Sequence, residues 1–209
     1  MSSDFQYILQ SPVLAYDEGL RFFMGKGVLN STLRRVARDL ERQQIDYCLI
    51  GAVALNFHGY HRFTEDIDLI LSKEGLEKFV NKLVGKGYRP AFEGARKKLR
   101  TTEGNVRVEV FIAGEFPGDG LPKAVAFPDP KDVDFEIDGI RTLSLEKLVD
   151  LKLASGISAA DRLKDLADVQ EIIKLKKLGS DFAIHLDPSV RNRFIELHNA
   201  VARARDEEC

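Results

Sequence analysis

The sequence predicts an α/β (α+β) fold: a mixed sheet flanked by helices, followed by a helical C-terminal part. Three observations predict it. Short apolar runs of strand length alternate with amphipathic segments of helical period as far as about residue 142. From Ser144 onward only helical periodicity remains. The length of 209 residues, with apolar residues spread throughout, suits one α/β domain over 1–142 (1–28 being an N-terminal extension) and a helical region over 143–209.

Composition narrows the function before any motif is considered. Thirty-one Lys+Arg balance 33 Asp+Glu, so the chain is neither a generally basic nucleic-acid coat nor an acidic tail protein. Thirteen Phe and many aliphatic residues exclude an acidic disordered chain. The two cysteines, Cys48 in an apolar run and Cys209 at the end, exclude a disulfide framework and a cysteine-rich zinc site. The opening MSSDFQYILQ lacks the basic-then-apolar pattern of a signal peptide, and no apolar segment approaches the roughly 20 residues of a membrane helix. The expectation is a cytoplasmic protein with no membrane partner.

Taken in order, residues 1–28 combine a turn-prone SPVLAYDEGL with glycine punctuation at Gly25 and Gly27 and read as a short helix or loop. Asn30-Ser31-Thr32 supplies cap candidates for LRRVARDLERQQ, in which Leu33, Val36, Ala37 and Leu40 share a face. The apolar run 47–50 reads as a buried strand ending at Gly51, and 52–58 as a short helix stopped by Gly59. DIDLIL, 66–71, reads as a second strand; 74–86 reads as a helix with Leu76, Phe79, Val80 and Leu83 on one face. Residues 97–112 suit a hairpin turning at Glu103-Gly104-Asn105. The Gly- and Pro-rich stretch 113–130 reads as a loop, and VDFEIDGIRTLS as a hairpin turning at Asp138-Gly139. Ser144 opens a helix with Leu145, Leu148, Val149 and Leu153 in period, a second helix spans 159–178, and a third follows Asp187-Pro188, a cap with Pro at the first helical position.

Charge is uneven along the chain. Eight Lys/Arg against two Glu fall between Lys82 and Arg107, while seven acids against three bases fall between Asp129 and Asp150. The basic segment reads either as a solvated surface or as a rim that handles phosphate.

The informative stretch is Gly51-Ala52, a short helix, Gly59, then Arg62-Phe63-Thr64-Glu65-Asp66-Ile67-Asp68. Alternate side chains of a strand share a face, so Asp66 and Asp68 point one way while Ile67 and Leu69 point into the core. Two carboxylates that close repel, and a divalent cation between them removes the repulsion; oxygen-only ligands favour Mg²⁺ or Mn²⁺ over zinc. A solvated strand edge gives the same Asp-x-Asp pattern, so a third carboxylate matters. In 106–112 the aliphatics Val106, Val108, Val110 and Ile112 take one face and Arg107, Glu109 and Phe111 the other. If this strand neighbours the aspartate strand, Glu109 joins the pair; its alternative is an ion pair with a nearby arginine. Gly51 stands between strand and helix, where first-turn N–H groups bind phosphate.

The smaller candidates divide between chemistry and packing. Arg62 either contacts phosphate or neutralises the carboxylates, and Thr64 either joins the nucleotide-binding set or braces the turn into the strand. His58 and His61 lack zinc spacing to any other His or Cys, and His58 reads as a packed helix-end residue. His185 and His198 read as surface or core-edge residues. On periodicity alone Lys152, Asp165 and Asp168 read as solvent-facing helix residues.

The run IGAVALNFHGYHRFTEDIDLIL resembles the signature of the nucleotidyltransferase superfamily (polymerase-beta-like fold): a Gly-[Gly/Ser] turn, a short helix, Asp-x-Asp, and a later carboxylate on a neighbouring strand. Within it, Gly51-Ala52, His58-Gly59 and Arg62-x-Thr64-x-Asp66-x-Asp68 most resemble the AbiEii/AbiGii toxin-like branch, as does LSLEKLVDLKLA followed by DRLKDLADV. The resemblance covers about residues 45–175. It implies that Asp66 and Asp68 hold two Mg²⁺ ions, with Glu109 as third metal ligand and base. It further implies that Gly51 and Ala52 present backbone to an NTP triphosphate, that Lys152 reaches the β/γ-phosphates, and that Asp165 orients Lys152 or the acceptor. Three positions depart from the branch: Ala52 where Ser or Gly is common, Glu109 where Asp is common, and Lys164 where Arg often precedes the aspartate.

These residues predict a metal-dependent transfer of an NMP from an NTP to a hydroxyl of RNA or tRNA, a protein side chain or a small molecule, with pyrophosphate released. The alternative is a catalytically degenerate nucleotide- or RNA-binding module, motivated by Ala52 and the basic segment 82–107. A third reading is a toxin-like component silenced by an antitoxin-like protein.

Overall fold

The computed structural model describes residues 4–133 and 135–207; Asp134 and Cys209 lie outside the described residues. They group into two compact units, Met1–Ala113 with Pro128–Leu143, and Gly114–Phe127 with Ser144–Cys209.

The first unit is built on β1 (Tyr47–Ile50), β2 (Asp66–Leu71), β3 (Tyr88–Pro90), β4 (Lys98–Thr101) and β5 (Arg107–Ile112), ordered β1-β2-β5-β4-β3. β2 and β5 pair in parallel and every other pairing is antiparallel, so the sheet is mixed. β1 is buried on both faces, as its unbroken YCLI requires, whereas β5 alternates with Val108, Val110 and Ile112 inward. Burial pushes the Cys48 thiol up to about 12, which leaves it inert.

Helix α3 (Val28–Arg42) buries Leu33, Val36, Ala37 and Leu40, the face its spacing predicts. It starts earlier than Asn30-Ser31-Thr32 suggests. Gly27 is its N-cap, Asn30 Oδ1 reaches back to accept the Gly27 N–H at 3.1 Å, and the buried Glu18 carboxylate accepts from the Val28 N–H. Two side chains, one from ten residues upstream, thus do the work expected of a local cap.

Residues 1–28 form more helix than expected: α1 (Phe5–Gln10), capped by Asp4, and α2 (Pro12–Phe23), capped by Ser11 with Pro at its start. They lean on an aromatic cluster in which Phe22 meets Phe63 edge-on at 5.4 Å and Phe5 lies 6.3 Å from Phe63. Helix α4 (Gly51–Phe57) follows β1, and α5 (Lys73–Leu83) is capped by Ser72 and ends before the predicted Lys86. β3 was not predicted; three residues are too few for a period, and Tyr88 is fixed instead by Phe79 at 4.9 Å and by donating to Asp39 at 2.8 Å. The β4–β5 hairpin turns through Gly104 and Asn105 as expected, and β6 (Glu136–Ile137) with β7 (Ile140–Arg141) turns at Asp138-Gly139, both with positive φ.

The second unit contains α6 (Leu145–Ser158), α7 (Leu163–Lys176) and α8 (Arg191–Glu207). Ser144 caps α6, whose residues from Leu148 to Ser155 are all buried. The predicted helix 159–178 is shorter, because a 3₁₀ turn occupies Ala160–Arg162 and Lys177 adopts a left-handed conformation that ends it. α8 begins three residues after Pro188, not at it: Asp187 accepts from the Ser189 N–H and hydroxyl, forming a separate turn. The stretch Gly114–Phe127 is loop, as its glycines and prolines predict, and Lys123 ties it to the Pro117 carbonyl at 2.6 Å and the Ser158 hydroxyl at 3.0 Å.

Candidate active site

The condition on Glu109 is met by the sheet. β2 and β5 are neighbours, Asp68 is the register partner of Glu109, and Asp66 is that of Arg107. Registered partners share a face, so Asp66, Asp68 and Glu109 project together, each half-buried, while Ile67, Leu69, Val108 and Val110 fill the core behind them. The ion pair anticipated for Glu109 also exists, with a lysine rather than an arginine: Lys98 on β4 is its cross-strand partner, with Nζ 3.5 Å from Oε1. Arg107 pairs with Glu65 at 2.9 Å.

Gly51, the first residue of α4 after β1, lies against this face. Its φ is +69°, and a Cβ there would lie 2.0 Å from Oδ2 of Asp68. Position 51 is therefore glycine for two reasons, the left-handed backbone and the absence of space for any side chain. Ala52 is buried in the first turn of α4, and its carbonyl accepts from Asn56 Nδ2 at 2.9 Å. Thr64 does more than brace the turn: its hydroxyl donates to Asp66 Oδ1 at 2.6 Å.

Asn56 was not singled out by sequence reasoning. Its Nδ2 also donates to the Arg62 carbonyl at 2.8 Å, and its Oδ1 accepts the Arg62 N–H at 2.8 Å. One amide thus pins the backbone leading into β2 to the helix that follows β1. The signal for it was a carboxamide in the last turn of a short helix, just before a glycine stop. Lys98 was also missed, though a hairpin turning at 103–105 already sets it opposite Glu109. His58 packs as predicted, with Nε2 2.8 Å from the Leu143 carbonyl and its ring stacked on Phe135 at 5.4 Å. His185 and His198 lie at the exposed and half-exposed positions expected of them, and His61 is exposed.

The carboxylate face offers oxygen donors in register, the chemistry that Mg²⁺ or Mn²⁺ takes. As placed, Asp66 is held by Thr64 and Glu109 by Lys98, and among the described residues no group of three or more His, Cys, Asp or Glu is gathered in a metal-holding arrangement. The residues fit a divalent ion in type and face.

In the second unit Lys152, Asp165 and Asp168 are buried, not solvent-facing. Lys152 Nζ lies 2.8 Å from Asp165 Oδ1 and 2.7 Å from Asp168 Oδ2, while Asp165 Oδ2 also accepts from the Ser155 hydroxyl at 2.7 Å and Arg162 Nε at 2.9 Å. Burial alone would raise the Asp165 pKa; the Lys152 charge and the hydrogen bonds from Lys152 and Ser155, with Arg162 beside them, hold it below the ordinary 3.8. The helical period missed this cluster because α6 is buried all round. Ser155, one turn after Lys152, and Arg162 complete it.

A mixed sheet carrying a glycine-to-helix turn, Asp-x-Asp and a registered third carboxylate defines the nucleotidyltransferase class. The family described as nucleotidyl transferase AbiEii toxin, type IV TA system, matches residues 32–206, and the chain belongs to that family. No curated protein matches the sequence. Solved structures to which it is similar include the antibiotic-resistance factor ANT(2'')-Ia, 16% identical over 84% of this chain and 96% of that one with a TM-score of 0.47. Another is JHP933 from Helicobacter pylori, 19% identical over 85% and 90% with a TM-score of 0.43. Among the described residues no helix is long and apolar enough to cross a membrane.

Proposed function

We propose that the protein transfers an NMP group from an NTP to a hydroxyl acceptor and releases pyrophosphate. The observation that carries this reading is the register of Asp68 with Glu109, with Asp66 two residues away on the same face. Asp66, Asp68 and Glu109 would hold Mg²⁺ or Mn²⁺, and such ions supply Lewis-acid stabilisation of phosphoryl oxygens. The acceptor oxygen bonds to the α-phosphorus, the bridging α–β P–O bond breaks, and pyrophosphate leaves. Glu109, restrained by Lys98, accepts the proton of the acceptor hydroxyl. Thr64 fixes the rotamer of Asp66, and Gly51 keeps the approach to Asp68 free of side chain.

The family resemblance assigns the β- and γ-phosphates to Lys152, whose ammonium is oriented by Asp165 and Asp168. Gly51, Ala52, Arg62 and Thr64 take the remaining nucleotide contacts in this reading. The acceptor is the hydroxyl of an RNA or tRNA, a protein side chain or a small molecule. The type IV TA description of the family supports an antitoxin-like partner.

The test incubates the protein with each α-labelled NTP, Mg²⁺, and total cell RNA or lysate. Label enters one class of acceptor, and Asp68→Ala abolishes the incorporation. No incorporation into any acceptor, with NTP binding unaltered by Asp66→Asn and Asp68→Asn, would overturn the reading.

A further inference from the structure

The carboxylate face continues across the sheet into cations. In the rung that starts at Asp66, Arg107 on β5, Arg100 on β4 and Arg89 on β3 are successive register partners. The next rung runs from Asp68 through Glu109 to Lys98. All seven side chains share one face, with the carboxylates on the β2–β5 side and four cations reaching from β5 to the β3 edge.

Three guanidinium groups side by side in one rung, on three adjacent strands, are a costly arrangement for a sheet, because like charges directly opposite destabilise a strand pair. Arg100 carries the strain: burial first, then Arg107 and Arg89, lower its pKa, with Asp4 opposing them. The internal contacts anchor the row without covering it. Arg89 donates to Asn105 Oδ1 at 2.7 Å, Arg100 to the Asn105 carbonyl at 3.0 Å, and Arg107 to Glu65 at 2.9 Å, while Arg89 and Arg107 remain exposed. Each guanidinium has five donors in a planar fork that matches a phosphate. Two strand spacings, about 10 Å, separate Arg107 from Arg89, the length of a chain of phosphates rather than of one anion.

We infer that Arg89 and Arg100, continuing from Arg107, form a phosphate-binding track that leads to the carboxylates. The phosphate belongs either to the backbone of a nucleic-acid acceptor or to the nucleotide. The track deepens the transfer reading by naming the substrate chemistry, and its binding is measurable without turnover.

The experiment measures binding of a labelled single-stranded RNA oligonucleotide in EDTA over a salt series, and separately of ATP with Mg²⁺. It compares wild type with Arg89→Gln, Arg100→Gln, their double variant and the Lys counterparts. A backbone ligand predicts at least tenfold weaker RNA binding in the double Gln variant and a salt slope shallower by about 1.4, since each single-strand phosphate contact contributes about 0.7. The Lys variants keep most of the affinity. Loss of ATP binding instead assigns the track to the nucleotide. Unchanged binding of both ligands, with an unchanged salt slope, overturns the track; should Arg100→Gln fail to fold, the exposed Arg89→Gln alone decides. Asp68→Ala as a parallel control separates the two claims, because it removes transfer and leaves RNA binding in EDTA intact.

Discussion

A methyl group at position 51 would meet Asp68 Oδ2 at 2.0 Å on a backbone already at φ +69°. Gly51→Ala therefore strains the β1–α4 junction by about 1–3 kcal/mol and displaces a site carboxylate. Denaturant unfolding reads the first effect, and loss of transfer out of proportion to lost stability reads the second. Thr64→Val keeps the shape of the side chain and removes only the hydroxyl that holds Asp66, so stability falls by about 1 kcal/mol while the transfer rate falls several-fold. In the second unit, Lys152→Met leaves Asp165 and Asp168 buried without their cation and costs about 3–5 kcal/mol, measured by the same unfolding curve. The pH dependence follows from the sign of the Asp165 shift. Its folded pKa lies below the ordinary 3.8, so its contribution is complete above that value and disappears as pH falls through the lowered one. Asp165→Asn should be less stable than wild type at pH 7 and should flatten the acid limb of stability below about pH 4. An unchanged acid limb would show that the ion-pair cluster does not hold the helices.

At the scale of elements, local pattern was legible where one period fills a whole segment. The strands 47–50, 66–71 and 107–112 and the helix after Ser144 follow from apolar spacing and a cap, because burial on one or both faces dictates each residue. Elements held by distant partners were not legible. α1 and α2 rest on Phe63, far along the chain from Phe5 and Phe22, and β3 rests on Phe79 and Asp39. The start of α3 depends on Glu18, a residue no helix-start pattern includes. Burial raises the Glu18 pKa, so ionising it costs stability as pH rises from the ordinary 4.5 through the raised value. Asn56 belongs to this scale as well, since its carboxamide joins α4 to the segment entering β2. Asn56→Ala removes three hydrogen bonds to backbone and should cost about 1–3 kcal/mol, with faster amide exchange at Arg62 as the local readout.

For the whole molecule, the near-neutral total of 31 bases and 33 acids conceals an ordered separation on one sheet face. Asp66, Asp68 and Glu109 were legible as a set because strand period puts each on a known face, leaving only adjacency of β2 and β5 to be established. The cationic side was legible only as a run of eight bases; the row Arg107, Arg100, Arg89 exists through the β5–β4–β3 register, which includes a strand too short to foresee. The Lys152 cluster was visible as a family motif, and its burial was not, because a helix surrounded on all sides has no polar face to read. The account stands on the three carboxylates acting as one site. Single-turnover transfer from labelled NTP, measured for Asp68→Asn, Glu109→Gln and the double variant, tests that directly. The account predicts that each single variant lowers the rate by orders of magnitude and that the double variant is little worse than either, as expected for groups that act as a unit. A Glu109→Gln protein with the wild-type rate would contradict it.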